Sequence, residues 1–180
     1  MTMRLPLVTS FIGLMGWSVA AQADWAEFSD WTAQSFSEDT GEDLRTECQA
    51  STGGDGAPSL TFTITDGDVG PPTAYPLVTY VETGFSNVAP RIEEGEAMTL
   101  VVDDTIEIPM SGYVDMVDDR IPTGKAAPDW GDAEKAWTAL RQGHRAEVHH
   151  DDSQEVWADF SLAGSAAATL NMLDRCGLAD

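Results

Sequence analysis

Six residues, LTFTIT at 60–65, alternate apolar and hydroxyl side chains without a break. Successive side chains of an extended strand point to opposite faces. Leu60, Phe62 and Ile64 therefore enter a core while Thr61, Thr63 and Thr65 meet water. The same period recurs along the chain. Residues 77–82 and 97–102 read as strands, and Asp103-Asp104 turns the chain into a run where Ile106, Ile108 and Met110 alternate with Thr105, Glu107 and Pro109. Pro109 has no N–H to give a ladder, so that strand is expected to end there or to lie at an edge. Residues 113–117 read as one more short strand. Near the end, 145–149 and 156–162 form a strand pair around a turn at 151–154. Val156, Ala158, Phe160 and Leu162 share one face of it, and Trp157 points outward.

Glycine, proline and aspartate punctuate these runs: STGGDGAP at 51–58 reads as a loop, Asp66-Gly67-Asp68 as a turn and Pro71-Pro72 as a loop. Residues 24–47 are polar apart from Trp25, Phe28, Trp31 and Phe36, which predicts an irregular start and then a first strand around 31–36.

Two segments change period. In 132–141 the apolar Ala133, Ala136, Trp137 and Leu140 fall at i, i+3, i+4 and i+7, the stripe of a short helix. Asp129 or Asp132 can cap its start, Arg141 suits its C-terminal end, and Gly143 follows. In 166–176, after Gly164 breaks the last strand, Ser165 is the expected N-cap. Ala166, Leu170 and Leu173 are the expected buried stripe, and Gly177 stands just past the end. The expected fold is thus mainly β: an antiparallel β-sandwich or barrel-like domain with a short helix near 132–141 and a C-terminal helix near 166–176.

With 180 residues the chain holds one domain's worth. Its first 23 residues read as a signal peptide: Arg4, an apolar run from Leu5 to Ala20, and the small-x-small site Ala21-Gln22-Ala23. Residues 24–180 are then a single β-rich domain in the periplasm or outside the cell. Removing 1–23 takes away Arg4 and no acid, which leaves 8 basic residues against 31 acidic ones, a net charge of −23. Such a surface repels nucleic acid and anionic membranes. The acidity fits a saline habitat before it fits any partner, and the expected partner, a protein or an envelope component, is not identified by it.

Cys48 and Cys176 are the only cysteines. In an exported chain, two cysteines predict a disulfide. It would clasp the last helix to the start of the β-body. Two cysteines with no histidine at ligand spacing make no zinc site.

The residues bearing chemistry are few. Val148–Gln154 (VHHDDSQ) places His149 and His150 beside two carboxylates, a donor set that suits zinc, copper or nickel. Adjacent strand residues face opposite ways, however, and a polar hairpin tip explains the same residues. Carboxylate pairs recur at Glu93-Glu94, Asp103-Asp104, Asp118-Asp119 and Asp151-Asp152, and a small hydrolase would need two of these facing across a cleft. The DGD at 66–68 resembles the start of a calcium loop, but Leu77 stands where its closing glutamate belongs. No nucleophile elbow, phosphate loop or dinucleotide fingerprint occurs. Ser165 reads as a helix cap and not a nucleophile. Of the tryptophans beyond the signal, Trp157 is the one to watch for a surface role, and the others read as packing.

The order of these segments resembles a known family. DWTAQ, RTECQA, the threonine-rich strand, DAEKAWTALRQG and the closing FSLAGSAAATL are together similar to the exported bacterial proteins of the invasion-associated locus B type, most specifically in the C-terminal third. The resemblance implies an exported, mainly β protein with no enzymatic activity, no catalytic residue and no cofactor. Two alternatives stand beside it: a secreted hydrolase using a carboxylate pair, and a periplasmic metal-binding protein using His149 and His150.

Overall fold

The computed structural model of the protein describes residues 24–39, 41–84, 89–117 and 121–178. The signal segment 1–23 and the pair Asp118-Asp119 lie outside the described residues. The alternating runs become strands: β1 (Asp24–Phe28), β2 (Trp31–Asp39), β3 (Leu44–Gly53), β4 (Ser59–Thr65), β5 (Leu77–Thr83), β6 (Ala97–Val102), β7 (Ile106–Val117), β8 (Ile121–Pro128), β9 (Arg145–His150) and β10 (Glu155–Ser161). All ten join one antiparallel sheet in the order β1-β2-β3-β4-β5-β8-β7-β6-β9-β10. There are two helices among the described residues, α1 (Ala133–Gln142) between β8 and β9 and α2 (Ser165–Arg175) after β10, with a single 3₁₀ turn at Trp130–Asp132 before α1.

The fold is therefore mainly antiparallel β with the two expected helices, and the sheet does not close into a barrel. Its far end nevertheless curls back towards its near end. The Trp31 indole N–H donates to the Ser161 carbonyl at 2.9 Å, and the Asp30 N–H donates to the Ala163 carbonyl at 3.2 Å. Phe160 lies edge-on to Tyr80, with ring centroids 6.2 Å apart. One face of the curled sheet is the core. Trp31, Ala33, Cys48, Ala50, Leu60, Phe62, Tyr80, Met98, Leu100, Ile108 and Val148 are all buried there.

Both helices cover that face. α1 turns Ala136, Trp137, Ala139 and Leu140 inward, and the Trp137 ring meets Phe62 edge-on at 5.4 Å. Asp132 occupies the cap position of α1 but its side chain makes no cap bond. Gly143 follows α1 in an extended conformation, not a left-handed one. It is needed for space: a Cβ there would stand 2.6 Å from Val102 and 2.9 Å from the Ala139 carbonyl.

α2 keeps Leu173 of the expected stripe buried but otherwise turns a different face inward. Ser165, Ala168, Thr169, Met172 and Leu173 face the core, while Leu170 is 52% exposed. The run of alanines allows either of two stripes, and the adjoining strands select the one that buries Met172, worth ~1.5–3 kcal/mol for such a side chain. Ser165 is not the cap either. Gly164 caps the helix at φ 94°, and the Ser165 hydroxyl instead donates to the Leu140 carbonyl at 2.8 Å. The C-terminal end is as expected. Gly177, at φ 68°, donates to the Asp174 carbonyl, and Leu178 donates back to Leu173, the paired bonds of a Schellman motif. The Cys48–Cys176 disulfide is formed, with Cα atoms 5.9 Å apart.

Other expectations are corrected. The polar start is not irregular, because 24–28 pair as β1 along β2. The loop expected over 51–58 begins only after Gly53, since β3 continues that far against β4. Strand β7 neither ends at Pro109 nor lies at an edge, since it runs on to Val117 between β6 and β8. Gly112 donates to Glu96 on the β6 side, so alternation aims the Pro109 nitrogen at the β8 side. There β8 has already stopped at Pro128, opposite Met110, and no ladder bond is lost. Residues 113–117 belong to this same strand. β8 itself, with two prolines and a glycine, shows no alternation and was not expected; it lies mid-sheet. In β10 a bulge between Val156 and Ala158 breaks the expected face. Val156 is 46% exposed, and Trp157 is half-buried against the core instead of outward.

Candidate functional site

Two clusters stand out, and they differ in how completely their groups are satisfied. The first joins β5, the loop before β6, and β10. The Tyr80 hydroxyl donates to Glu82 Oε1 at 2.5 Å, and the Arg91 backbone N–H donates to Glu82 Oε2 at 3.0 Å. The Arg91 guanidinium pairs with the same carboxylate, donates to the Trp157 carbonyl at 3.2 Å and lies 4.7 Å above the Trp157 ring. His150 stacks on that ring at 4.8 Å and 7°. Its Nε2 is 2.9 Å from Glu96, and its Nδ1 is 2.8 Å from the Ser153 hydroxyl. Burial first, then the Glu82 hydrogen bond and charge, push the Tyr80 phenol far above its ordinary value. Every charge in this chain of contacts has a partner. The cluster ties the loop before β6 to β5 and β10.

His149 sits elsewhere. It lies opposite Thr99 while His150 lies opposite Met98, so the two rings leave opposite faces of the sheet. His149 Nε2 is 2.8 Å from Glu147. Among the described residues no three His, Cys, Asp or Glu side chains stand together in a group that could hold a metal ion.

The carboxylate pairs largely serve turns. Asp103 and Asp104 are both left-handed, at φ 50° and 58°, in the turn joining β6 to β7. Asp103 accepts the backbone N–H groups of His144 and Arg145, which hold its carboxyl below the usual carboxylate range. Asp151 accepts from the Thr99 hydroxyl at 2.7 Å, and Glu94 accepts from the Val114 N–H at 3.2 Å. In the DGD segment, Asp66 accepts the Thr46 N–H, and Asp68 accepts both the N–H and the hydroxyl of Thr65.

The second cluster is open. Pro128 ends β8, Asp129 is extended, and the 3₁₀ turn lifts Trp130 off the body, leaving it 83% exposed. Across from it the chain leaves β4 through the 66–68 turn and returns to β5 through Tyr75-Pro76-Leu77. Tyr75, Pro76, Leu77 and Trp130 wall two adjoining hollows, the larger about 240 Å³, with Asp68 and Thr63 also on its wall. Leu77 is 49% exposed. Partial burial first, then the neighbouring Glu134 carboxylate on α1, raise the Tyr75 phenol above its ordinary value. On the other side of the Gly131-Asp132 turn, an open groove of about 710 Å³ runs along α1 past Glu134 and Lys135 to Asp103.

This cleft was not expected from the residues, which suggested Trp157 as the surface tryptophan. The signal for it lies in APDWGD at 127–132. A tryptophan set among proline, aspartate and glycine sits in a turn, with no regular face to bury. No family model, curated protein or solved structure matches the chain.

Proposed function

We propose that this chain is an exported, non-enzymatic binding domain of the periplasm or cell exterior, and that the Trp130 cleft is where it meets a protein or envelope partner. The observation that carries this reading is the large aromatic at 83% exposure beside a hollow walled by Tyr75, Pro76 and Leu77. Exposing an indole leaves its burial energy uncollected, and clustered exposed aromatics are typical of contact surfaces. The Cys48–Cys176 bond supports an oxidising destination. The resemblance to the invasion-associated locus B type supports export and a role without catalysis.

The test places a photo-crosslinking amino acid at position 130 and, separately, at Glu38 on the exposed end of β2, in the native cells. The expected result is export of the protein and discrete adducts with envelope or periplasmic components from position 130 only. Retention in the cytoplasm, or the same adducts from both positions, overturns the reading.

A further inference from the structure

We infer, resting on that reading, that the Trp130 cleft takes a basic side chain, an arginine or lysine on a segment of a partner protein. An exposed tryptophan face attracts a cation through the ring quadrupole, more strongly than tyrosine or phenylalanine does. The surroundings add charge of the matching sign. Asp129 and Asp132 flank Trp130 in the chain and neither spends its side chain on a helix cap. Asp68 is on the cleft wall. Pro76 and Leu77 supply an apolar floor for the methylene stem that a lysine or arginine carries below its charge.

Among the described residues no lysine or arginine lines the cleft. Among the described residues, five cations are engaged elsewhere: Arg91 on Glu82, Lys125 on Asp115, Arg145 on Glu147, Lys135 on the Glu107 carbonyl and Arg141 on the Trp137 ring. With a net charge of −22 the molecule draws a basic partner from a distance and rejects an acidic one. The hollow of about 240 Å³ is smaller than the ~300–1,000 Å³ pockets that enclose drug-sized ligands, so it suits one side chain presented from another surface.

The test uses the oxidised chain from residue 24 onward and a short glycine–serine peptide with a central Leu-Arg-Leu. Its twin carries citrulline, the uncharged isostere, in place of arginine. The readouts are the indole N–H resonances and the affinity at two salt concentrations. The expected result is a saturable shift of the Trp130 resonance with the arginine peptide, none with the citrulline twin, and weaker binding at higher salt. Trp130→Ala should weaken binding about five- to thirtyfold, and Asp68→Asn should weaken it less. Glu38→Gln, remote from the cleft, should leave it unchanged. Trp130 is a surface side chain, so an unaltered melting temperature confirms that Trp130→Ala still folds. Equal binding of the two peptides, or undiminished binding by Trp130→Ala, overturns the inference. So does a Trp130 shift produced by an N-acetylglucosamine tetramer and not by the arginine peptide, which would assign the aromatic to a saccharide. If neither probe binds while position 130 still cross-links to envelope components, the cationic ligand is wrong and the contact surface stands.

Discussion

The Ser165 hydroxyl donates to the carbonyl of Leu140 at 2.8 Å, joining the first residue of α2 to the last turn of α1. That carbonyl is among the last four of α1, which have no partner within the helix. Ser165 is 1% exposed, so water does not replace the bond. Ser165→Ala should lower stability by roughly 1–3 kcal/mol, the cost of a buried acceptor left unmade. Urea unfolding checks it, and a change under half of that range's lower end would show the carbonyl finds another donor.

The disulfide holds α2 against β3. A helix of this length is marginal alone, since isolated helices under ~12–15 residues scarcely persist in water. Cys48→Ser with Cys176→Ser should cost roughly 2–5 kcal/mol. Amide exchange should then rise first in α2, before the strands from β3 to β5. Uniform loss of protection would show that the helix and sheet open as one unit.

Gly164 permits the entry to α2. A Cβ there would stand 1.8 Å from the Phe28 carbonyl oxygen, with the backbone at φ 94°. Gly164→Ala should destabilise by more than the ~1–2 kcal/mol of left-handed strain alone, because Phe28 must also move. An NMR spectrum should show shifts in the β1–β2 turn; their absence would mean that the helix start moves instead.

Tyr80 sets an alkaline limit. Its phenol is held protonated in the folded chain, chiefly by burial and then by Glu82. At neutral pH it is protonated in both states and costs nothing. Above about pH 10 the unfolded chain releases that proton and the folded chain does not, so stability falls as pH rises. Tyr80→Phe should remove that part of the slope in chemical unfolding at alkaline pH. Identical slopes would show that Tyr80 ionises in the folded state like an exposed phenol.

The acidic excess should be visible in salt. A net charge of −22 on a 180-residue chain repels itself, and the Debye length shrinks from ~10 Å at 0.1 M to ~3 Å at 1 M. Melting temperature should rise between low salt and high sodium chloride. A flat or falling curve would mean that pairing or bound cations already neutralise the carboxylates.

By itself the sequence determined the strands and helices whose residues repeat at their own period. β4 and β6 alternate because one face of each is core, although Thr61, expected to meet water, is also buried on the other face of β4 and donates to the Thr79 carbonyl. α1 shows its stripe because Trp137 and Leu140 can be buried only on one side. The two cysteines, the only pair available, needed only proximity, which the middle of β3 and the end of α2 supply. Tertiary structure decided the rest. β8 became a mid-sheet strand because β5 and β7 offer ladders on both sides, and Pro109 is tolerated because β8 stops short of it. Met172 and not Leu170 turned inward because the sheet selects one stripe of a helix whose alanines allow two. Trp157 turned towards the core through a bulge, where Arg91 and His150 close on its two faces. Trp130 was left outside because its turn lies beyond the last ladder bond of β8. A local pattern records which faces an element could bury; which face is buried depends on neighbours brought close from distant parts of the chain.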